Sequence, residues 1–209
     1  IESQILGSQE LLTGSLRITT TTDTGRLHIL PVLSKFIEDN PQVTSYLHLD
    51  DGVVNITEDG FDCAIRYGEM PDSSLVARKI ASSHRVLCAS PEYLKCKGHP
   101  KTPQELVDHD CITTTRGTEP MTNWFCTDAH GEQVIPIKWA RSSNNGALVR
   151  QWALEGAGIV LKSYLEVYED IKSGRLELVL EHFEHDFIRK PMGINKLQNA
   201  QIGVDLYVV

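Results

Sequence analysis

The side chains in this sequence that could hold a small molecule are hydroxyls, amides and a few charged groups, and they come in short clusters. These are Thr19-Thr20-Thr21-Thr22-Asp23-Thr24, Asp50-Asp51, Arg66-Tyr67-Gly68-Glu69, Thr113-Thr114-Thr115-Arg116 and Ser142-Ser143-Asn144-Asn145-Gly146. Hydroxyls and amides bond to carboxylates and hydroxyls alike, and the planar fork of Arg66 would add a bidentate partner for a carboxylate. Covalent chemistry has no comparable grouping. The sequence contains no GxSxG, HExxH, Walker loop or GxGxxG, and Gly156-Ala157-Gly158 follows a helical stretch, so it stops a helix and cradles no nucleotide. His182 and His185, Cys96 and His99, and His109 and Cys111 are pairs, whereas a zinc site needs three or four converging ligands. The expectation is a binding module that is not an enzyme, with no metal and no cofactor.

Each candidate also has a structural reading. Threonine runs form strands whether or not a ligand is near, and alternate side chains point to opposite faces, so Thr22 and Thr24 at the strand end are better placed than their neighbours. Thr115 stands out from Thr113 and Thr114 on the same ground. Arg66 can serve a ligand or pair with Asp62 or Glu69, and one of Asn144 and Asn145 can cap the helix that follows. Asp23, Asp50 and Asp51 can reverse a field that otherwise favours anions. Trp124, Trp139 and Trp152 read as core anchors. The five cysteines form no CxxC pair and no disulfide framework, and Cys63 and Cys88 lie in apolar runs, as buried thiols do.

Those clusters meet only if strands deliver them to one edge. Residues 16–21 alternate as a strand, and Thr24-Gly25 open a helix with Leu27, Leu30, Leu33, Phe36 and Ile37 on one face, restarted at Pro31. A strand at 43–49, a short helix at 53–58 and a strand at 61–66 complete a βαβαβ unit, which builds a parallel sheet by right-handed crossovers. A second series follows: an extended stretch at 75–80, a strand at 85–89, the N-cap Ser90 with Pro91, and a capping box at Thr102-Pro103-Gln104-Glu105. Then come a strand at 111–114, a hairpin around 128–131, a helix after Asn145, strand 159–161, helix 163–171 and strand 176–180. Two α/β series imply two lobes, and ligands of open parallel sheets bind beyond the carboxyl ends of the strands, near helix N-termini.

With 209 residues and 41% hydrophobic composition the chain can bury a sizeable core, and no apolar run approaches the roughly 20 residues needed to span a bilayer. A formal charge of −8 leaves no surplus of cations for a phosphate backbone. No membrane contact and a cytoplasmic location are expected, since Ile1-Glu2-Ser3-Gln4 has no signal-peptide character.

Several segments in this order resemble the effector-binding domain of LysR-type transcriptional regulators. They are Gly14-Ser15-Leu16-Arg17-Ile18, Leu30-Pro31 through Phe36, Glu58-Asp59-Gly60-Phe61-Asp62-Cys63-Ala64-Ile65-Arg66-Tyr67-Gly68, Val86-Leu87-Cys88-Ala89-Ser90-Pro91-Glu92-Tyr93-Leu94, Leu154-Glu155-Gly156-Ala157-Gly158-Ile159 and Gly174-Arg175-Leu176. The resemblance implies an α/β fold of two Rossmann-like lobes joined by two hinge strands, as in type 2 periplasmic binding proteins. Residues 1–13 would end a linker helix, 14–88 with 204–209 would form lobe I, and 89–203 lobe II. The hinge passages would be 86–90 and 204–208.

A small-molecule effector in the cleft, a homodimer, a tetramer open to the full-length protein, and DNA contact only through an N-terminal winged helix-turn-helix outside these residues are implied in the same way. The effector site would draw on Thr22, Thr24, Asp50, Arg66, Gly68, Thr115, Asn144 and Asn145, and its hydroxyls and helix N-termini favour a small organic acid or similarly polar metabolite. A transport-type solute-binding protein of the same fold is the alternative. The sequence departs from the family pattern at Lys162, where proline is frequent, in the longer and more polar 182–202, and in stopping at Val209 before a usual final helix.

Overall fold

A computed structural model describes residues 12–52, 54–67, 76–128, 130–186 and 206–208. Gly68 and most of 1–13 and 182–202 therefore lie outside the described residues, and with them what the sequence predicts there.

The first sheet has the order β2-β1-β3-β14-β4. Strand β1 (Gly14–Thr20) runs parallel to β2 (Val43–Leu49) and β3 (Cys63–Tyr67), as the βαβαβ reading requires. Between β1 and β2 the chain is helical from Thr22 to Asp39, in three pieces: α1 (Thr22–Thr24), a π-helical turn at Gly25–Ile29 and α2 (Leu30–Asp39). Pro31 sits in the first turn of α2, where it has no N–H to donate back to the preceding turn, and the π turn lies just ahead of it. The expected helix at 53–58 is instead a set of turns: Asp59 N–H reaches Asn55 O at 3.0 Å and Phe61 N–H reaches Ile56 O at 3.0 Å, with Gly60 at φ 67°. So few residues, ended by that glycine, cannot sustain a regular helix. Strand β4 (Arg78–Ala81) closes the sheet beside β14 (Leu206–Val208), which pairs antiparallel with both β3 and β4.

Strand β5 (Arg85–Ala89), expected as the passage out of the first lobe, is instead hydrogen-bonded within the second sheet, so the change of sheet falls at residues 82–84. After β5 comes α3 (Pro91–Lys97), capped by the Ser90 hydroxyl, which accepts from Tyr93 N–H at 3.2 Å. The expected capping box at 102–105 forms differently. Pro103–Asp108 is a 3-10 helix in which the Glu105 carboxylate accepts from Lys101 N–H and from the Thr102 hydroxyl. Then follow β6 (Cys111–Arg116), β7 (Glu119–Pro120), the hairpin β8 (Asn123–Asp128) and β9 (Gly131–Pro136), and β10 (Trp139–Ser143), an edge strand the sequence reading had not identified. Trp139 on that edge is 46% exposed and anchors no core, unlike the fully buried Trp124.

Helix α4 (Gly146–Leu154), β11 (Ile159–Ser163), α5 (Tyr164–Lys172), β12 (Glu177–Val179) and β13 (Glu184–Asp186) complete the second unit. Its sheet order is β10-β6-β11-β5-β13-β8-β9, with β6 parallel to both β10 and β11. Its central strands β5 and β11 are buried on both faces, and the alternation shows it. Leu87 and Ala89 pack with Ile159, Leu161 and Trp124 on one side, while Val86 and Cys88 pack with Val160, Val149 and Val167 on the other. The first sheet has a smaller core around Ile18, Leu33 and Ile65.

Candidate functional site

The carboxyl ends of β1, β2 and β3 in the first unit face the N-termini of α4 and α5 in the second, and the seam between them is closed by charged and polar contacts. Strand β11 reads Ile159-Val160-Leu161-Lys162-Ser163, all buried. Alternation puts Lys162 on the face of Val160, towards α4 and α5, at the end of the strand. An ammonium there must be paired. Its Nζ donates to Asp23 Oδ2 of the first unit at 2.8 Å and to Gly146 O at 3.2 Å, and lies 2.9 Å from Glu166 Oε2. Lys162 and Asp23 are 5% and 2% exposed, so this pair is out of water. Burial alone would pull the ammonium's pKa down; Glu166 and Asp23 together hold it well above its ordinary value.

Asp51 supplies the second crossing. Its Oδ1 accepts from Thr22 N–H at 2.7 Å, and its Oδ2 accepts from Gly146 N–H, the first residue of α4. The carboxylate thus joins the start of α1 to the start of α4. A side chain at 146 would collide with this arrangement: a Cβ there would stand 2.9 Å from Lys162 Nζ and 3.2 Å from Asp51 Oδ2. Around these two contacts the seam continues. The Thr24 hydroxyl donates to Tyr67 Oη at 3.3 Å, and Tyr67 also bonds to Ser163. Burial, then Glu166, raises the Tyr67 phenol. His28 Nε2 lies 3.1 Å from Leu165 O.

The residues expected to bind a ligand divide into two groups. Thr22 and Thr24 are at the seam, as are Asn144 and Asn145 through their position beside Gly146. Asn145 is the N-cap of α4: its Oδ1 accepts from Ala147 N–H at 2.9 Å and Leu148 N–H at 3.2 Å, while Asn144 is exposed. Of the two acids expected as partners of Arg66, Asp62 accepts instead from Arg17 N–H, and Glu69 lies outside the described residues. Arg66 Nη1 donates to the carbonyls of Asp50 and Gly52, and its Nη2 to the Thr19 hydroxyl at 2.8 Å, so it clamps the loop that carries Asp51. Burial lowers its pKa, with Asp50 and Asp51 opposing. The Asp50 carboxylate accepts from Gly52 N–H at 2.6 Å, which shapes the same loop. The Thr115 hydroxyl donates to Gly117 O at 3.1 Å, closing the β6–β7 turn. Sequence reasoning missed the central role of Lys162 and Asp51; a lysine inside an apolar strand was the available signal, because burial there demands a carboxylate partner.

The model of the family described as "LysR substrate binding domain" matches residues 9–190. The chain belongs to that family. It is 35% identical over 170 residues to the HTH-type transcriptional regulator DmlR of Escherichia coli, covering 81% of this chain and 55% of that protein. To the regulator CrgA of Neisseria meningitidis serogroup C it is 34% identical over 178 residues, covering 84% of this chain and 58% of CrgA. The chain thus spans a little over half the length of these relatives. Among solved structures, CrgA superimposes with a TM-score of 0.79 at 28% identity over 96% of this chain and 63% of that one. Full-length AphB of Vibrio cholerae gives 0.75 at 25% identity over 94% of this chain and 61% of that one. The LysR effector-binding domain therefore has the two-unit α/β fold of periplasmic binding proteins here, and its relatives are transcriptional regulators, not transporters. Among the described residues no helix is long and apolar enough to cross a membrane.

Proposed function

We propose that this LysR effector-binding domain senses a small organic acid, or a similarly polar metabolite, between its two units, and passes the resulting change of arrangement to DNA-binding domains elsewhere in a cytoplasmic regulator. The observation that supports the reading is the Asp51 carboxylate, on which one backbone N–H donor from each unit converges. A ligand that engages both sides binds one arrangement of the units better than the other, and that difference is all it has to shift the equilibrium. Thr22, Thr24 and Asn144 are the side chains of the expected set with the best claim to contact it. Asp50, Arg66, Thr115 and Asn145 serve the surrounding backbone.

The chain's formal charge of −8 suits a part that leaves DNA to another domain. A homodimer follows from the family resemblance and is supported by exposed apolar side chains on the helical segment after β1 and on α4, Leu27 at 38%, Leu30 at 49% and Leu148 at 49%.

The test takes the metabolite that most raises the chain's unfolding temperature and measures its affinity for Thr22→Val and Asn144→Ala by calorimetry. Each variant should bind more weakly by about 1–3 kcal/mol while keeping its fold. Parent-like affinity in both would put the ligand elsewhere.

A further inference from the structure

The contacts that close the seam come from the chain itself, and the effector reading gives the Lys162–Asp23 pair no task. Lys162 of the second unit is held by Asp23 of the first at 2.8 Å, with both side chains nearly inaccessible. Asp51 of the first unit grips Gly146 N–H of the second, and Gly146 also receives Lys162 on its carbonyl, so a single residue takes part in both crossings. Arg66 fixes the Asp51 loop from behind through the Asp50 and Gly52 carbonyls. The cavities lined by Pro91, Glu92, Gln151, Leu154, Gly174 and Arg175, and by Pro100, Lys101 and residues 180–183, touch none of these groups.

We infer that Asp23, Lys162 and Asp51 form an autoinhibitory latch that shuts the cleft on its own carboxylates, so that an effector enters only by breaking it. This rests on the reading that the effector binds between the units. The physics follows from burial. A closed seam keeps Lys162 paired in a low-dielectric setting, whereas parting the units returns Asp23 and Lys162 to water and frees Gly146 N–H. The two crossings share Gly146 and should yield together. A binding-competent state that is only fractionally populated lowers apparent affinity by that fraction, so the latch sets a threshold concentration for the effector. An effector carboxylate would take over the N–H that Asp51 holds.

The experiment needs no effector, so its failure is separate from failure of the sensing proposal. Amide exchange at Gly146 and the solution radius of gyration are measured for the 209-residue chain as parent, Asp23→Asn, Lys162→Met and Asp51→Ala. The diagnostic variants are the first two, because neither side chain touches Gly146 N–H. Both should speed exchange at Gly146 at least ten-fold and enlarge the radius, while Ile112 and Val160 in the core keep parent rates. Asp51→Ala, in a less buried position, should enlarge the radius equally and decides the matter if Lys162→Met loses core protection. Parent-like exchange and radius in Asp23→Asn and Lys162→Met, or a parent-like radius in Asp51→Ala should Lys162→Met not fold, would overturn the latch.

Discussion

Lys162 makes three polar contacts, of which the one to Asp23 crosses to the first unit, and its energetics can be measured. Removing one partner of a buried ion pair costs about 3–5 kcal/mol when the survivor must stay buried. Lys162→Met leaves Glu166 buried on α5 of the same unit whether or not the units part, so it should cost about 3–5 kcal/mol in urea unfolding. A cost indistinguishable from zero would contradict the pairing. Because the folded pKa of Lys162 is raised, its stabilisation is complete below the unfolded value of about 10.4 and is lost as pH climbs beyond it. Parent stability should therefore fall above pH ~10.4 more steeply than that of Lys162→Met, and identical alkaline profiles would contradict the pairing. The thiols give a second prediction at this scale. Burial pushes Cys88, Cys111 and Cys126 up to about 12, and burial with Asp62 raises Cys63, whereas Cys96 is exposed. A thiol reagent at pH 8 should find one fast group in the native chain, abolished by Cys96→Ser.

Among the elements, α4 depends on Asn145, whose side chain satisfies two of the orphan N–H groups at its start. Asn145→Ala should cost about 1 kcal/mol and Asn145→Asp little, as read by thermal unfolding. The cap was legible in the sequence as one of two asparagines, and the three parallel strands β1, β2 and β3 were legible from β-branched runs such as Ile18-Thr19-Thr20. Other elements were not. The 53–58 stretch carries apolar residues at helical spacing but is held by turn hydrogen bonds around Gly60, and β10 joins β6 through a register shift between Trp139 and Arg141 that no local pattern announces. β5 was read as a strand, yet its membership of the second sheet comes from pairing with β11 and β12, far along the chain.

For the whole molecule, the sequence pointed to the ends of β1 and β2 and the start of α4, but could not show that the protein's own carboxylates join them. Asp51 was visible only as a charge that opposes an anion; its grip on both units is a tertiary fact. A domain at −8 should also show no sequence-specific DNA binding by itself, and salt-resistant operator binding by these residues would contradict the division of labour proposed here. The most direct measurement is thermal unfolding of the chain across a panel of small carboxylic acids, each run beside its neutral amide. At 100 times its dissociation constant a ligand stabilises by about 2.7 kcal/mol, a shift easily seen. At least one acid should raise the unfolding temperature while its amide does not; stabilisation by cationic or wholly apolar compounds alone would contradict the account.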